Sequence, residues 1–297
     1  MFNVSPVIAI WIAWFITAAN LVVTKFAVPY ATSALFMLVS CTIASLCFLP
    51  HIRKTDGWKI LFDKKIWPQC LAMGTFGTAL PMTIFMIALN YTTPTNGAIL
   101  NQFEMIYSLI LTYFLLKEKP TGKQIGGSLL IILGVGLLLY QAGMSVQLKG
   151  DLMIIGCLWM FQLSHIFAKK LPAQMDPHLI AAARALFAIP ALAVLVLGLA
   201  LFQGPLLFEV NATLVWTLLF SAVANYFIGN TFWYRAIRNM DLSKATAVIL
   251  SYPVMTFILS VLLKQDTVTV YKVLGMLLAM GGAYIVTGII KQQGERK

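Results

Sequence analysis

Charge is scarce in this sequence. Of its 297 residues only 10% are Asp, Glu, Lys or Arg, against about 25% in soluble domains. With 60% hydrophobic residues and a mean hydropathy of +0.86, a soluble globular fold is excluded. Cysteine is sparse too: Cys41, Cys47, Cys70 and Cys157 all lie in apolar runs, with no CxxC or Cys/His spacing of the kind a zinc site requires. They read as small packing residues. HExxH, GxSxG and paired carboxylates within apolar runs are missing as well, which argues against an intramembrane enzyme. No Lys or Arg precedes the apolar run from Pro6 to Val23, and no A-x-A-like site follows it. This run exceeds the core of about 7–15 residues found in signal peptides, so it is expected to stay as a first membrane span. A net charge of +11 would suggest nucleic acid in a soluble protein. Here loop placement explains it, and neither a nucleic-acid partner nor a cofactor is expected.

Long apolar runs are what the chain does have. About 20 such residues cross a bilayer core, and punctuation by polar residues, Pro and Gly places spans near 5–27, 32–50, 67–90, 95–116, 122–141, 149–169, 178–202, 213–235, 241–263 and 269–290. The expected fold class is an all-α polytopic membrane protein with ten transmembrane helices. Sixteen Lys and Arg residues then fall on the side of the chain termini and four on the other, Lys25, Lys149, Lys264 and Lys272, with Arg184 inside the seventh span. The positive-inside rule places both termini in the cytoplasm of a multi-pass protein of the cell inner membrane.

The chain also repeats. An offset of 149 superposes Trp67 on Trp216, Asn90 on Asn239, Ala98 on Ala247, Gly126 on Gly275 and Leu129 on Leu278; an offset of 145 pairs Trp14 with Trp159 and Lys25 with Lys170. The expected units are 1–141 and 149–290, five spans each, with a short basic tail at 291–297. An odd number of spans per copy inserts the second copy upside down, giving inverted repeats suited to alternating access. A closed bundle built by duplication is the plainer alternative.

Particular motifs sharpen this. The first half carries Ala88-Leu89-Asn90-Tyr91, then Leu115-Leu116-Lys117-Glu118-Lys119, Gly126 and Gly134-Val135-Gly136; the second carries Ser251-Tyr252-Pro253-Val254, Gly275 and Gly281-Gly282. In these the chain resembles the EamA-type transporters of the drug/metabolite transporter superfamily, in both halves. The resemblance implies a ten-helix metabolite carrier whose spans 1, 3, 4, 6, 8 and 9 surround a central cavity, and it favours export. The departures are equally specific. Ser40 stands where the family often has Arg in span 2, while span 7 keeps one as Arg184; Glu104 stands where it often has Pro in span 4; Lys264-Gln265-Asp266 replaces its usual Glu after span 9.

Polar residues inside spans are the candidate site. Glu104 lies about nine residues into the fourth span, which at 1.5 Å per residue is roughly 14 Å deep, and an ionisable group there is a functional candidate by default. Gly97, Asn101, Glu104, Ser108 and Thr112 recur at helical steps as one polar stripe. Shorter stripes are Thr17, Asn20 and Thr24; Thr75 and Thr78; Gln162, His165 and Lys169; Ser221 and Asn225; and Tyr252, Thr256 and Ser260 beside Pro253. For each, interhelical hydrogen bonding that only fixes packing is the alternative role. Arg184 could hold a substrate carboxylate, although bonding to a carbonyl near the interface fits it better; His165 reads first as a hydrogen-bonded packing residue. Pro81, Pro190 and Pro253 are expected bending points. Trp11, Trp14, Phe76, Phe85, Tyr107, Trp159, Tyr226, Phe232, Trp233 and Tyr252 could wall a pocket, though packing and interface anchoring are the commoner uses of such aromatics.

The function expected is export of a small amphipathic metabolite, such as an amino acid, with Glu104 binding its ammonium or a proton in turn. Import of a cationic or nucleotide-like metabolite is the alternative, and a channel or non-transporting subunit the alternative of another class. The expected partners are the small-molecule substrate, the lipid bilayer and a second copy of the chain, through the small-residue faces Gly122 and Gly126 or Gly275, Ala279 and Ala283.

Overall fold

The computed structural model describes residues 4–116, 121–142, 146–169, 171–172, 175–239, 248–249 and 251–294, and these are helices joined by short connections. Seven runs are long and apolar enough to cross a membrane: Pro6–Ala27, Ser33–Lys54, Trp67–Ala88, Gly122–Gln141, Gln147–Ala168, Pro177–Phe202 and Ala212–Ala236. Residues 94–116 form a further helical run, and Tyr252–Leu262 and Val270–Ile285 are shorter apolar helices. The start of the expected ninth span lies outside the described residues, as do Lys117-Glu118-Lys119, Lys170, Ala247 and the side chains of Thr112 and Lys169.

Helices α1 (Pro6–Ala27) and α2 (Ser33–Lys54) are each a single α-helix. Ser5 caps α1 by accepting the N–H of Ile8 at 3.3 Å, with Pro6 at the first turn. A short helix α3 (Gly57–Leu61) lies in the next connection. The third run then breaks into α4 (Trp67–Gly74), a π-helical turn at Thr75–Ala79 and α5 (Leu80–Ala88). The fourth comprises α6 (Pro94–Leu100), a 3-10 turn at Asn101–Phe103 and α7 (Glu104–Leu116). After α8 (Gly122–Ala142) and α9 (Val146–Lys169), the seventh run breaks at Phe187–Ala188 between α10 (Pro177–Leu186) and α11 (Ile189–Gln203). The eighth run repeats the pattern of the third, as α12 (Ala212–Leu219), a π-helical segment at Phe220–Gly229 and α13 (Asn230–Asn239). The described chain closes with α14 (Tyr252–Leu262) and α15 (Val270–Gly294).

These interruptions follow from the sequence. Pro81, Pro190 and Pro253 each occupy the first turn of a new segment, α5, α11 and α14. A proline lacks the N–H that would bond four residues back and its ring clashes there, so a helix restarts at it. The 149-residue offset carries the π turn at 75–79 onto 224–228, inside the second π segment, so the internal repeat is visible in the backbone as well.

Contacts at the run ends show that successive described runs alternate in direction. The α1–α2 turn pairs with the α11–α12 connection through Thr32 N–H to Leu207 O and Glu209 N–H to Tyr30 O, both 2.8 Å. At that same end Thr269, before α15, donates to Gln141 of α8 at 2.9 Å. At the opposite end the His51 ring, near the end of α2, bonds to Asp176 before α10 at 2.6 Å.

Helices α8 and α15 pack over most of their length. In lipid there is no hydrophobic force between helices, and small residues that bring backbones together supply the contact. A Cβ on Gly134 would stand 2.6 Å from the Gly275 carbonyl oxygen, and one on Gly282 would stand 2.4 Å from that of Gly127. Ala279 and Ala283 on the same face are fully buried. The Gly275 face is thus used within the chain, whereas a Cβ on Gly122 or Gly126 would meet nothing within 4 Å. Gly282→Val forces α15 away from α8 and is expected to cost about 1–3 kcal/mol by overpacking. Thermal unfolding in detergent, followed by tryptophan fluorescence, should show a lowered midpoint, with Gly126→Val close to the parent protein.

Candidate functional site

The 3-10 turn at Asn101–Phe103 divides the fourth run into unlike halves. Every residue of α6 is buried. From Glu104 to Leu111, by contrast, none is buried, on any side of the helix. That half is only partly enclosed, with Met105, Ile106, Tyr107 and Leu109 packed in part against the core. Glu104 is its first residue, and its side chain is 14% exposed.

Its partners come from α9. Glu104 Oε1 accepts a hydrogen bond from Gln162 Nε2 at 2.7 Å, and His165 Nε2 lies 3.5 Å from the same oxygen. Gln162 and His165 stand three residues apart, so one face of α9 presents both. Both contacts fall on the one oxygen, Oε1. The His165 side chain is 40% exposed, more than that of Glu104.

Next to this trio, Tyr252 at the start of α14 donates its hydroxyl to the Ala98 carbonyl at 3.3 Å, and Asn101 faces the same phenol. Ser108, one turn beyond Glu104, is half-buried. Gly97 belongs to the same stripe and packs against the ring of Phe85. Asn20 is held elsewhere: Ser221 Oγ of the second π segment donates to Asn20 Oδ1 at 3.1 Å. Beside them a cavity of about 20 Å³ is lined by Asn20, Thr24, Met82, Ser221 and Tyr226, among others, room for about one water. Asn225 lies in the same π segment, half-buried.

Arg184 is engaged with backbone. Its Nη2 donates to the Gly77 carbonyl at 2.6 Å and its Nε to Thr78 Oγ1 at 3.0 Å. Gly77 stands four residues before Pro81, whose missing N–H leaves that carbonyl without its helical donor. A Cβ at Gly77 would fall 2.2 Å from Ser164 Oγ, so only glycine admits both Ser164 and the guanidinium. The expected carbonyl-bonded geometry is therefore present, answering a π turn inside the bundle rather than snorkelling to the interface. Sequence alone does not say which of the nine candidates Asn20, Asn101, Glu104, Ser108, Gln162, His165, Arg184, Asn225 and Tyr252 meet. The structure joins Glu104, Gln162 and His165, places Asn101 and Tyr252 beside them, and sets Asn20 and Arg184 in separate contacts.

A second polar group was missed. Asp151 is fully buried, accepting from Thr92 Oγ1 and, at 3.3 Å, from Asn96 Nδ2. Lys272, 5% exposed in its side chain, pairs with Asp266, 1% exposed. Lys25 donates to the carbonyls of Leu89 and Thr92. These charges sit near span ends and so read as loop residues in sequence. Pairing of acids with lysines among the loops on the side opposite the chain termini was the one available signal.

Among the described residues no three His, Cys, Asp or Glu side chains gather closely enough to hold a metal ion. A helical bundle of repeated halves, with an acid halfway along its spans and flanked by polar side chains, is the construction of a membrane transporter. The sequence profile of the EamA-like transporter family matches residues 4–140 and 148–288, and the chain belongs to that family. It is similar to the "Uncharacterized transporter YyaM" of Bacillus subtilis (strain 168), 22% identical over 280 residues that cover 93% of this chain and 91% of that protein. To the "Uncharacterized transporter YetK" of the same organism it is 26% identical over 287 residues, covering 94% and 84%. A solved chain described as "Crystal structure of protein" aligns over 97% of this chain and 98% of its own length, with a TM-score of 0.66 and 18% identity. That likeness is one of fold. The protein is thus a multi-pass membrane transporter.

Arg184→Lys keeps the charge but loses the planar fork that reaches Gly77 and Thr78 together. A loss of about 1.5–3 kcal/mol is expected, the worth of a hydrogen bond to a charged group. It should appear as a lowered unfolding midpoint, with the affinity of any transported compound within about twofold of the parent protein.

Proposed function

We propose that the protein is a ten-span inner-membrane carrier of inverted repeats, both termini cytoplasmic, exporting a small amphipathic metabolite such as an amino acid by alternating access. The observation that carries this reading is Glu104, set where the fourth run changes from fully buried to half-buried and bonded on one oxygen by Gln162. A ligand ammonium meeting Oε2 would form a charge-assisted hydrogen bond in surroundings of low dielectric. A proton taken by the same carboxylate would displace it, which couples the two. Arg184, committed to Gly77 and Thr78, is a poor receptor for a ligand carboxylate, so the amine is the group recognised. The same acid would serve an importer of a cationic metabolite, and gradients rather than geometry set the direction of a carrier.

Paired metabolite profiling of medium and cytoplasm tests this, in cells making the wild type or Glu104→Gln at equal membrane levels. A compound enriched outside by the wild type, with its flux lowered about tenfold or more in the variant, is the expected result. Enrichment inside would establish the importer, and no difference in any compound would sink the reading. Saturation and counterflow in sealed vesicles then separate carrier from channel.

A further inference from the structure

Two lysines and two aspartates converge where α1, the α5–α6 turn, α9 and the α14–α15 turn meet. Lys272 pairs with Asp266 and reaches the Thr267 carbonyl at 3.5 Å. Asp266 lies within electrostatic range of Lys25, and Lys272 within range of Asp151. Lys25 grips the α5–α6 turn through Leu89 O and Thr92 O, and Thr92 passes the link to Asp151 through its hydroxyl. Gln265 adds a hydrogen bond from Nε2 to Val22 O of α1 at 3.0 Å. The set is neutral in sum and ties both repeats together.

Such a set is an odd way to gain stability. Buried ion pairs contribute little against apolar packing, while the loss of one partner is costly because the other charge is left uncompensated. What they supply is a defined arrangement. Two further observations say what is arranged. The group lies at the fully buried α6 end of the fourth run, opposite the half-buried stretch that Glu104 begins. It is also incompletely satisfied: Asp266 Oδ2 and Gln265 Oε1 are buried with no partner among the described residues. A permanent scaffold has no use for unmet acceptors, whereas a latch that releases needs its bonds to be nearly balanced by solvation.

We propose that Lys25, Asp151, Asp266 and Lys272 form the gate that closes the path from Glu104 toward this end, and that the Asp266–Lys272 pair must leave α1 and α9 for the site to open there. The proposal rests on the carrier reading, yet its test needs no substrate. Thr95 on α6, fully buried and next in sequence to Asn96, which donates to Asp151, is changed to Cys in a background where Cys41, Cys47, Cys70 and Cys157 are replaced by Ala. Its rate of reaction with a membrane-impermeant maleimide is measured in right-side-out and inside-out vesicles, which also reports which face carries the gate.

Asp266→Asn and Lys272→Gln are each expected to raise the rate from one face by about tenfold or more, since each strands a buried charge. The double variant, neutral again, should return to within about threefold of the parent. Parent rates in both single variants would overturn the gate. So would a double variant that reacts as fast as the singles, because that reports loosened packing instead. If either single variant is not monodisperse in detergent, Lys25→Met takes its place: a rate raised about tenfold supports the gate, and a parent rate overturns it. A protein that transports nothing would still give these rates, so failure of the carrier reading and failure of the gate are separable.

Discussion

Pro81 has no N–H to offer the carbonyl of Gly77, four residues earlier, and a backbone carbonyl without a donor in hydrocarbon costs several kcal/mol. The structure meets that need with a π turn and the guanidinium of Arg184, which crosses from α10 to reach it. Much of the central bundle obeys the same constraint. Tyr252 donates to Ala98 O beside the 3-10 turn, Thr256 to Ala18 O, and Ser164 to Met73 O. Side chains that looked like ligand groups in the sequence are in several cases donors to backbone. The helices are consequently least regular where the polar residues are densest, and irregular backbone at membrane depth is tolerated only where protein or a water-filled cavity surrounds it.

That rule also explains which parts of the site were legible. Glu104 stands out because a carboxylate in an apolar run is rare, and spacing puts Asn101 and Ser108 on its face. Spacing says nothing about which other helix supplies the partner, so Gln162 did not stand out from Asn20 and Asn225, and His165 read first as a packing residue, while the structure packs α7 against α9 and brings both to Glu104. Proline positions foretold the breaks, and the restart of α5, α11 and α14 follows from the ring alone. The π geometry did not follow, because it depends on whether a side chain elsewhere can take the freed carbonyl. The fourth run has no proline near its 3-10 turn, and nothing local announces that turn.

The lysines show the opposite failure. Counting Lys25 and Lys272 by side of the membrane gave a topology with which the alternation of described run ends agrees. The same count treated them as solvated loop charges, yet Lys272 is 5% exposed in its side chain. Burial at a span end depends on how connections fold over one another, here the α14–α15 turn over α1 and the α5–α6 turn over α9. Hydropathy along one chain segment carries no trace of that. Only the presence of Asp151 and Asp266 at the same end, among so few acids, hinted that the charges were meant for each other.

Set side by side, the two charged groups have different chemistry. The four charges at the other end balance one another, Lys25 linked to Asp151 through Thr92 and Lys272 paired with Asp266, so an incoming ion gains little there. Glu104 is held by an amide and an imidazole, while Lys25, Lys272 and Arg184 are engaged elsewhere and Lys149 lies over the ring of Tyr91. On the proposed reading, a carboxylate so placed, with Lys25, Lys272 and Arg184 engaged elsewhere, is complementary to a cation from solution. A carrier needs that asymmetry. The gate must be satisfied by the protein itself so that it can close on an empty path, and the site must be satisfied only by its ligand, so that binding supplies the free energy that moves the bundle between its two states.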